Sequence, residues 1–209
     1  MVSSGSISWL RDWDTAFADA RRSNKPVLVV IKQQGDCIGC EQLEAYTLSD
    51  PAVRATITER FVPLQLYQRE PPVRTIRILW LPTTVIFDKR GIEHYRALNP
   101  LPPGDYLDLL AIGEALARMR SAEYAKAIAC LEAARDRAPV GPLQPEVLFY
   151  LGIAWYFRER RGTTTRNLVW RELTERYPES PWALRVPWHL DEVMGHPGRL
   201  WDLTPPNPS

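Results

Sequence analysis

The run VLVVI at positions 27–31 is β-branched and apolar on both faces, which suits a strand buried in the middle of a sheet. A short polar stretch, QQGD at 33–36, follows it, and then come Cys37 and Cys40 as a C-x-x-C pair. A new helix begins at Cys37 in this reading. The buried strand therefore delivers two cysteines to a helix N-terminus, and the other elements have to be arranged around it.

Upstream, residues 12–23 place Trp13, Phe17 and Ala20 on the apolar stripe of a short helix, which Lys25-Pro26 ends. Downstream, SDPA at 49–52 is a helix-start signal with proline in the first turn, and residues 61–67 read as a second strand. After a polar connector, LPTTVIFD at 81–88 is a strand entered through a proline. The turn at 89–91 returns the chain into a partner strand at 92–97. The prolines of NPLPPG at 99–104 end the sheet, and residues 105–119 are helical.

A chain of 209 residues, 45% apolar and 24% charged, can bury one substantial core or two modest ones. A net charge of +1 creates no field that would draw it onto phosphate backbones or anionic lipid, so neither nucleic acid nor membrane is expected as a partner. Unbroken apolar runs reach about five residues, where about 20 are needed to span a bilayer. Trp9, Arg11, Asp12, Asp14, Arg21 and Arg22 interrupt any signal-peptide core, so the expected location is cytoplasmic. Structural disulfides are unusual there, and paired cysteines point to redox chemistry or metal. Redox exchange leads, a structural dithiol or binding module follows, and metal ranks last. A closed zinc site takes four ligands, whereas Cys130 lies in an amphipathic helix and His94, His189 and His196 show no ligand spacing. Cys130, between Ala129 and Leu131, reads as a small core residue.

The order βαβαββα, the C-x-x-C at the first strand-to-helix junction and LPTT opening a later strand resemble the thioredoxin superfamily, over roughly the first 119 residues. The likeness extends to the framing segments: W-x-x-D-x-x-x-A-x-x-x-A at 9–20, NKPVLV at 24–29 and D-P-x-V at 50–53. The resemblance implies an α/β, thioredoxin-like fold, a central mixed sheet flanked by helices, with Pro82 as a cis-proline opposite the dithiol. It further implies a thiol-disulfide oxidoreductase that acts on protein or peptide disulfides, has a cellular thiol reductant as its other partner and needs no bound cofactor.

A thiolate attacks a disulfide, and the partial positive charge of a helix N-terminus stabilises it. Cys37, outermost, is then the nucleophile. Cys40, three residues on and on the same face, is the resolver that attacks the mixed disulfide. The backbone of Leu81 beside Pro82 offers an edge for an extended substrate. Trp80 is a candidate for lining that groove, although burial in the core is the commoner fate of a tryptophan. The chain also departs from the thioredoxin pattern. Asp36 stands where thioredoxins commonly have Trp, Ile38-Gly39 replaces Gly-Pro, and a carboxylate beside Cys37 disfavours its thiolate. Thioredoxins bury an acid at the strand position occupied here by Ile31, so resolution is slower or is assisted by Glu41 or Glu44.

Beyond residue 104 the composition turns to Ala, Leu, Glu and Arg, and pairs 39 positions apart match: Gly113 and Gly152, Leu131 and Trp170, Ala134 and Leu173, Pro139 and Pro178. LGIAW at 151–155, followed by an amphipathic helix ending in Tyr177-Pro178, resembles the tetratricopeptide pattern. This implies an all-α helical-repeat extension over 120–195, with two helix pairs and a capping helix at 180–194, then an irregular Pro-rich tail at 196–209. RERRG at 158–162 reads as a solvated helix end. The extension braces the sheet, contacts partners, or both. The rival to the oxidoreductase is a non-catalytic interaction module on the same fold.

Overall fold

The computed structural model describes residues 6–98, 100–137, 141–160 and 164–186. The expected tail at 196–209, most of the capping helix, His189, His196, Asn99, Pro139 and the end of RERRG lie outside them. Helix α1 (Trp13–Ser23) begins where Asp12 accepts from the Thr15 N–H at 2.8 Å, and ends at Asn24, whose φ of 54° turns the chain out of the helix. Strand β1 (Val27–Lys32) follows, then α2 (Ile38–Gln42), which runs on as a π-type turn through Leu43–Thr47. Helix α3 (Pro51–Arg60) starts on the Asp50 carboxylate, which accepts from Ala52 and Val53. Strand β2 (Val62–Tyr67), the single turn α4 (Pro71–Arg74), β3 (Thr83–Phe87), β4 (Glu93–Leu98) and α5 (Pro103–Arg120) complete the first half.

The sheet order is β2-β1-β3-β4, with β2 parallel to β1 and the other two pairings antiparallel. This is the mixed sheet of a thioredoxin-like fold. The strand expected from position 81 begins instead at Thr83, because proline has no N–H to give to a ladder. The polar connector also contains α4, which two prolines at its start make possible.

Strand β1 is apolar on both faces because each face has its own core. Val27, Val29 and Ile31 pack with Ala16, Phe17 and Ala20 of α1, while Leu28 and Val30 pack with Val53 and Ile57 of α3 and Tyr106 and Leu110 of α5. Each such side chain contributes about 1.5–3 kcal/mol by leaving water.

Helix α5 does double duty. Its Tyr106, Leu107, Leu109 and Leu110 belong to the sheet core, whereas Ala111, Ile112 and Ala115 belong to a third core shared with α6 (Tyr124–Arg137), α7 (Gln144–Arg158) and α8 (Thr164–Arg176). Polar contacts reinforce the junction. Tyr95 of β4 donates to the buried Glu146 of α7 at 2.9 Å, Arg60 of α3 pairs with Glu114 of α5 at 2.6 Å, and Asn24 donates to Glu123 at 3.0 Å. Cys130 is a buried free thiol approached by Arg60, and burial pushes it up to about 12. It is a core residue. Within 180–194 the described portion holds one short 3-10 turn, Ala183–Arg185.

The glycines that mark the 39-residue spacing are both close-approach positions, with different neighbours. A Cβ on Gly113 would stand 2.2 Å from Ile86 Cδ1 of the sheet, and one on Gly152 would stand 2.2 Å from Trp170 Nε1 of α8. The indole is rigid and its Nε1 donates to the Phe149 carbonyl at 3.1 Å, so it cannot yield without losing that bond. Gly152→Ala is expected to destabilise the fold by about 1–3 kcal/mol through overpacking, against a helix-propensity gain of about 1 kcal/mol. Urea unfolding midpoints of the two proteins check this.

Candidate functional site

Burial fixes β1 as the central strand, and its C-terminal end fixes where the loop at 33–36 emerges. The Gln33 side chain closes that loop by donating to the Asp36 carbonyl at 2.9 Å, and Gly35 turns it with a φ of 92°. Cys37 caps α2: its Sγ accepts from the Cys40 N–H at 3.2 Å. The helical N–H groups are thus aimed at this sulfur, the arrangement that favours a thiolate once the cysteine is reduced. Cys37 and Cys40 are joined in a disulfide, with their Cα atoms 5.2 Å apart. Cys40 is buried and Cys37 half-buried, so Cys37 presents the more accessible sulfur. Asp36 is exposed, and water screens its charge.

The Leu81–Pro82 peptide is cis, and it faces the dithiol. A Cβ on Gly39, between the cysteines, would lie 3.0 Å from Pro82 Cδ and 3.4 Å from the Leu81 carbonyl oxygen. A glycine between the cysteines lets the proline ring and that carbonyl come this close. Trp80 is not a core tryptophan, the commoner expectation. It is 64% exposed, beside Leu79 at 87%, whereas Ile76, Ile78 and Leu81 of the same connector pack against the core. Trp80 and Leu81 line a cavity of about 550 Å³ next to the proline.

A second cavity, about 500 Å³, lies under the dithiol and is lined by Cys37, Cys40, Lys32, Glu44 and Gln65. Lys32 is the residue that sequence reasoning missed. It closes an otherwise apolar strand directly after Ile31, which is fully buried, and it is itself buried. A cation ending a strand that has no solvent face was the available signal. Its ammonium pairs with the Glu44 carboxylate, one turn beyond Cys40. With its amide oxygen toward the cations, Gln65 accepts from Arg11 and Lys32 at 3.1 and 3.3 Å. Glu41 lines the same cavity, so both acids considered for assisting resolution border it. Burial, and after it the Arg11 guanidinium, push Lys32 down to about 8. Glu44, with its side chain 45% exposed, is too well hydrated to offset them. Among the described residues no group of three or more His, Cys, Asp or Glu could hold a metal ion, and no helix is long and apolar enough to cross a membrane. His94 pairs with Asp88 at 3.2 Å.

The Lys32 shift has a definite sign. Below pH 8 both folded and unfolded chains carry the proton and the burial penalty stands in full. Between about 8 and 10.5 the folded chain has released a proton that the unfolded chain still holds, so stability rises with pH. Lys32→Met removes this dependence. Its stability relative to wild type is expected to fall by the order of 3 kcal/mol between pH 7 and 10.5, at about 1.4 kcal/mol per pKa unit, measured by urea unfolding at both pH values.

A thioredoxin-like family model matches residues 8–100. The thiol:disulfide interchange protein DsbD of Pectobacterium atrosepticum is 32% identical over 92 residues, 42% of this chain and 15% of that protein. DsbD of Citrobacter koseri is 32% identical over 87 residues, 39% of this chain and 15% of that protein. The chain thus matches about 15% of the length of these curated relatives. Among solved structures, a thioredoxin from Thermus thermophilus superposes with a TM-score of 0.45 at 26% identity, covering 51% of this chain and 85% of that one. A DsbH oxidoreductase does so with a TM-score of 0.47 at 13% identity, covering 55% and 89%.

Proposed function

Residues 8–100 being a thioredoxin-like domain, we propose that the protein is a thiol-disulfide oxidoreductase working through Cys37 and Cys40 on protein or peptide disulfides. The observation that carries this reading is the dithiol itself: two cysteines at a helix N-terminus, the outer sulfur bonded to a backbone N–H, with a cis-proline across the intervening glycine. The 32% identity to thiol:disulfide interchange proteins over 92 and 87 residues supports it.

The reaction follows from the geometry. The Cys37 thiolate attacks one sulfur of the substrate disulfide; that bond breaks, and the other substrate sulfur leaves as a thiolate and takes a proton from water. The Cys40 thiol then gives up its proton and attacks Cys37 Sγ. The Cys37–Cys40 bond forms, and the second substrate sulfur leaves. Two electrons have passed from the dithiol to the substrate, and a cellular thiol reductant restores the dithiol. The Glu44 carboxylate, paired with the Lys32 ammonium at the edge of the cavity that holds Cys40, is the acceptor for its proton, and Lys32 positions and stabilises that carboxylate in the place of an acid at position 31. Leu81 and Pro82 hold the substrate main chain, with Trp80 at its side. The helical extension braces the sheet through α5 and the Tyr95–Glu146 bond. We place the reaction in the cytoplasm.

Cys40→Ser leaves Cys37 able to attack and nothing to release it, so disulfide-bearing partners are expected to accumulate as covalent adducts on non-reducing gels, while Cys37→Ser captures none. Adducts with neither variant leave an interaction module, and adducts with Cys37→Ser alone reverse the roles. In the wild-type dithiol background, Lys32→Met is expected to slow release from the mixed disulfide by about a hundredfold, the lower end of general acid–base effects, in single-turnover mixing.

A further inference from the structure

The cavity beside the cis-proline holds two cations and no acid. It runs from the 33–36 loop, at Gln33, to the connector that leads into Pro82. Its apolar wall is Ile76, Ile78 and Trp80, and its polar wall is Arg69 and Arg74. Both arginines are exposed, and among the described residues neither forms an ion pair with a carboxylate. Glu70, the acid between them in sequence, does not line the cavity. Among the described residues no backbone–backbone hydrogen bond engages Ile78, Leu79, Trp80 or Leu81; the Trp80 carbonyl accepts from the Thr83 hydroxyl, which leaves the main-chain groups of Ile78, Leu79 and Leu81 for an extended partner. Ile38, 77% exposed between the cysteines, adds an apolar rim on the side of the dithiol.

We infer that this cavity is a specificity pocket for disulfide substrates whose cysteine is flanked, within a few residues, by an apolar side chain and a carboxylate. The inference rests on the oxidoreductase reading and adds the chemistry of the substrate to it. A segment laid along Leu81 with its sulfur at Cys37 has its next side chains over Trp80 and Ile78, and a carboxylate there meets the guanidinium groups of Arg69 and Arg74. Guanidinium binds carboxylate through paired N–H donors, whereas a basic flank would meet two like charges. The same residues would steer an acidic partner during approach, an effect that salt removes.

The test uses the whole chain and two disulfide peptides of the same sequence, one with Leu and Glu beside the cysteine and one with Leu and Lys. A small neutral disulfide, bis(2-hydroxyethyl) disulfide, reports exchange without flanks. The Glu peptide is expected to be reduced with a kcat/KM about tenfold higher than the Lys peptide, and raising the salt to about 0.5 M is expected to erase most of the difference. In Arg69→Glu/Arg74→Glu the preference is expected to reverse, and an unchanged urea midpoint shows that the variant is folded. Equal rates for the two peptides, with the neutral disulfide still reduced, overturn the pocket and leave the oxidoreductase standing. If the neutral disulfide is not reduced, the oxidoreductase reading falls, and the pocket is decided by equilibrium binding of the same peptides with Ser in place of Cys. Tighter binding of the Glu form upholds it, and equal binding overturns it.

Discussion

From Tyr106 to Met119, helix α5 has no exposed residue, and elements of both halves of the described structure cover it. One side lies on β3 and α3, the other on α6 and α7. A helix buried around its whole circumference, with its charged Asp108, Glu114 and Arg118 all paired, is stable only inside a core. The helical half is thus the second wall that α5 requires. Gly113 makes the first contact possible by letting the α5 backbone reach Ile86. The buried polar groups at this junction are paired: Glu146 with Tyr95, Glu114 with Arg60 and Arg118, and Asp108 with Arg137 and Gln144. Each would cost several kcal/mol if left alone, so the two halves also specify their register.

The position of the dithiol follows from the same packing. With α5 and α3 on one face of the sheet and α1 on the other, β1 has a core on each side and cannot shift by one residue without inverting all of its side chains. The loop after β1 is therefore held at the end of the sheet, and β3, paired antiparallel to β1, brings Pro82 to the same end. Two segments more than forty residues apart in sequence meet at Gly39 because both are tied to one strand.

The sequence exposes some of this and hides the rest, for physical reasons. β1, α1 and α3 were legible because their signals are local: a run of β-branched residues, an apolar stripe, an Asp-Pro start. The dithiol was legible for the same reason. Trp80 was a groove candidate against the commoner expectation of burial, and the sequence could not decide between the two, since exposure depends on whether another layer covers the connector, which no local pattern encodes. Lys32 escaped notice because a lysine at a strand end ordinarily reaches water. Here Glu44, Gln65 and Arg11, from three other segments, close over it. The spacing of Gly113 and Gly152 reads as a helical repeat; both are close-approach positions, yet one meets a strand and the other a helix, a difference the spacing does not encode.

The polar groups under the dithiol form a different solution from a single buried acid. An acid in the strand at position 31 would sit among Val29, Leu64 and Leu66 and would have to be desolvated there. Placing the cation one residue later turns the side chain to the opposite face of the strand, where a cavity, a carboxylate and an amide already provide partners. The penalty does not vanish, since Lys32 is still held well below its ordinary value. A methionine of similar length would avoid it, so packing alone gives no reason for a lysine here. Chemistry does. In the proposed reaction, a lysine whose proton affinity lies near that of a free thiol, about 8.5, can also accept a cysteine proton in its neutral amine form and give it back as the ammonium with little loss of free energy in either direction. A carboxylate with an ordinary proton affinity would approach that match only after a larger upward shift through burial.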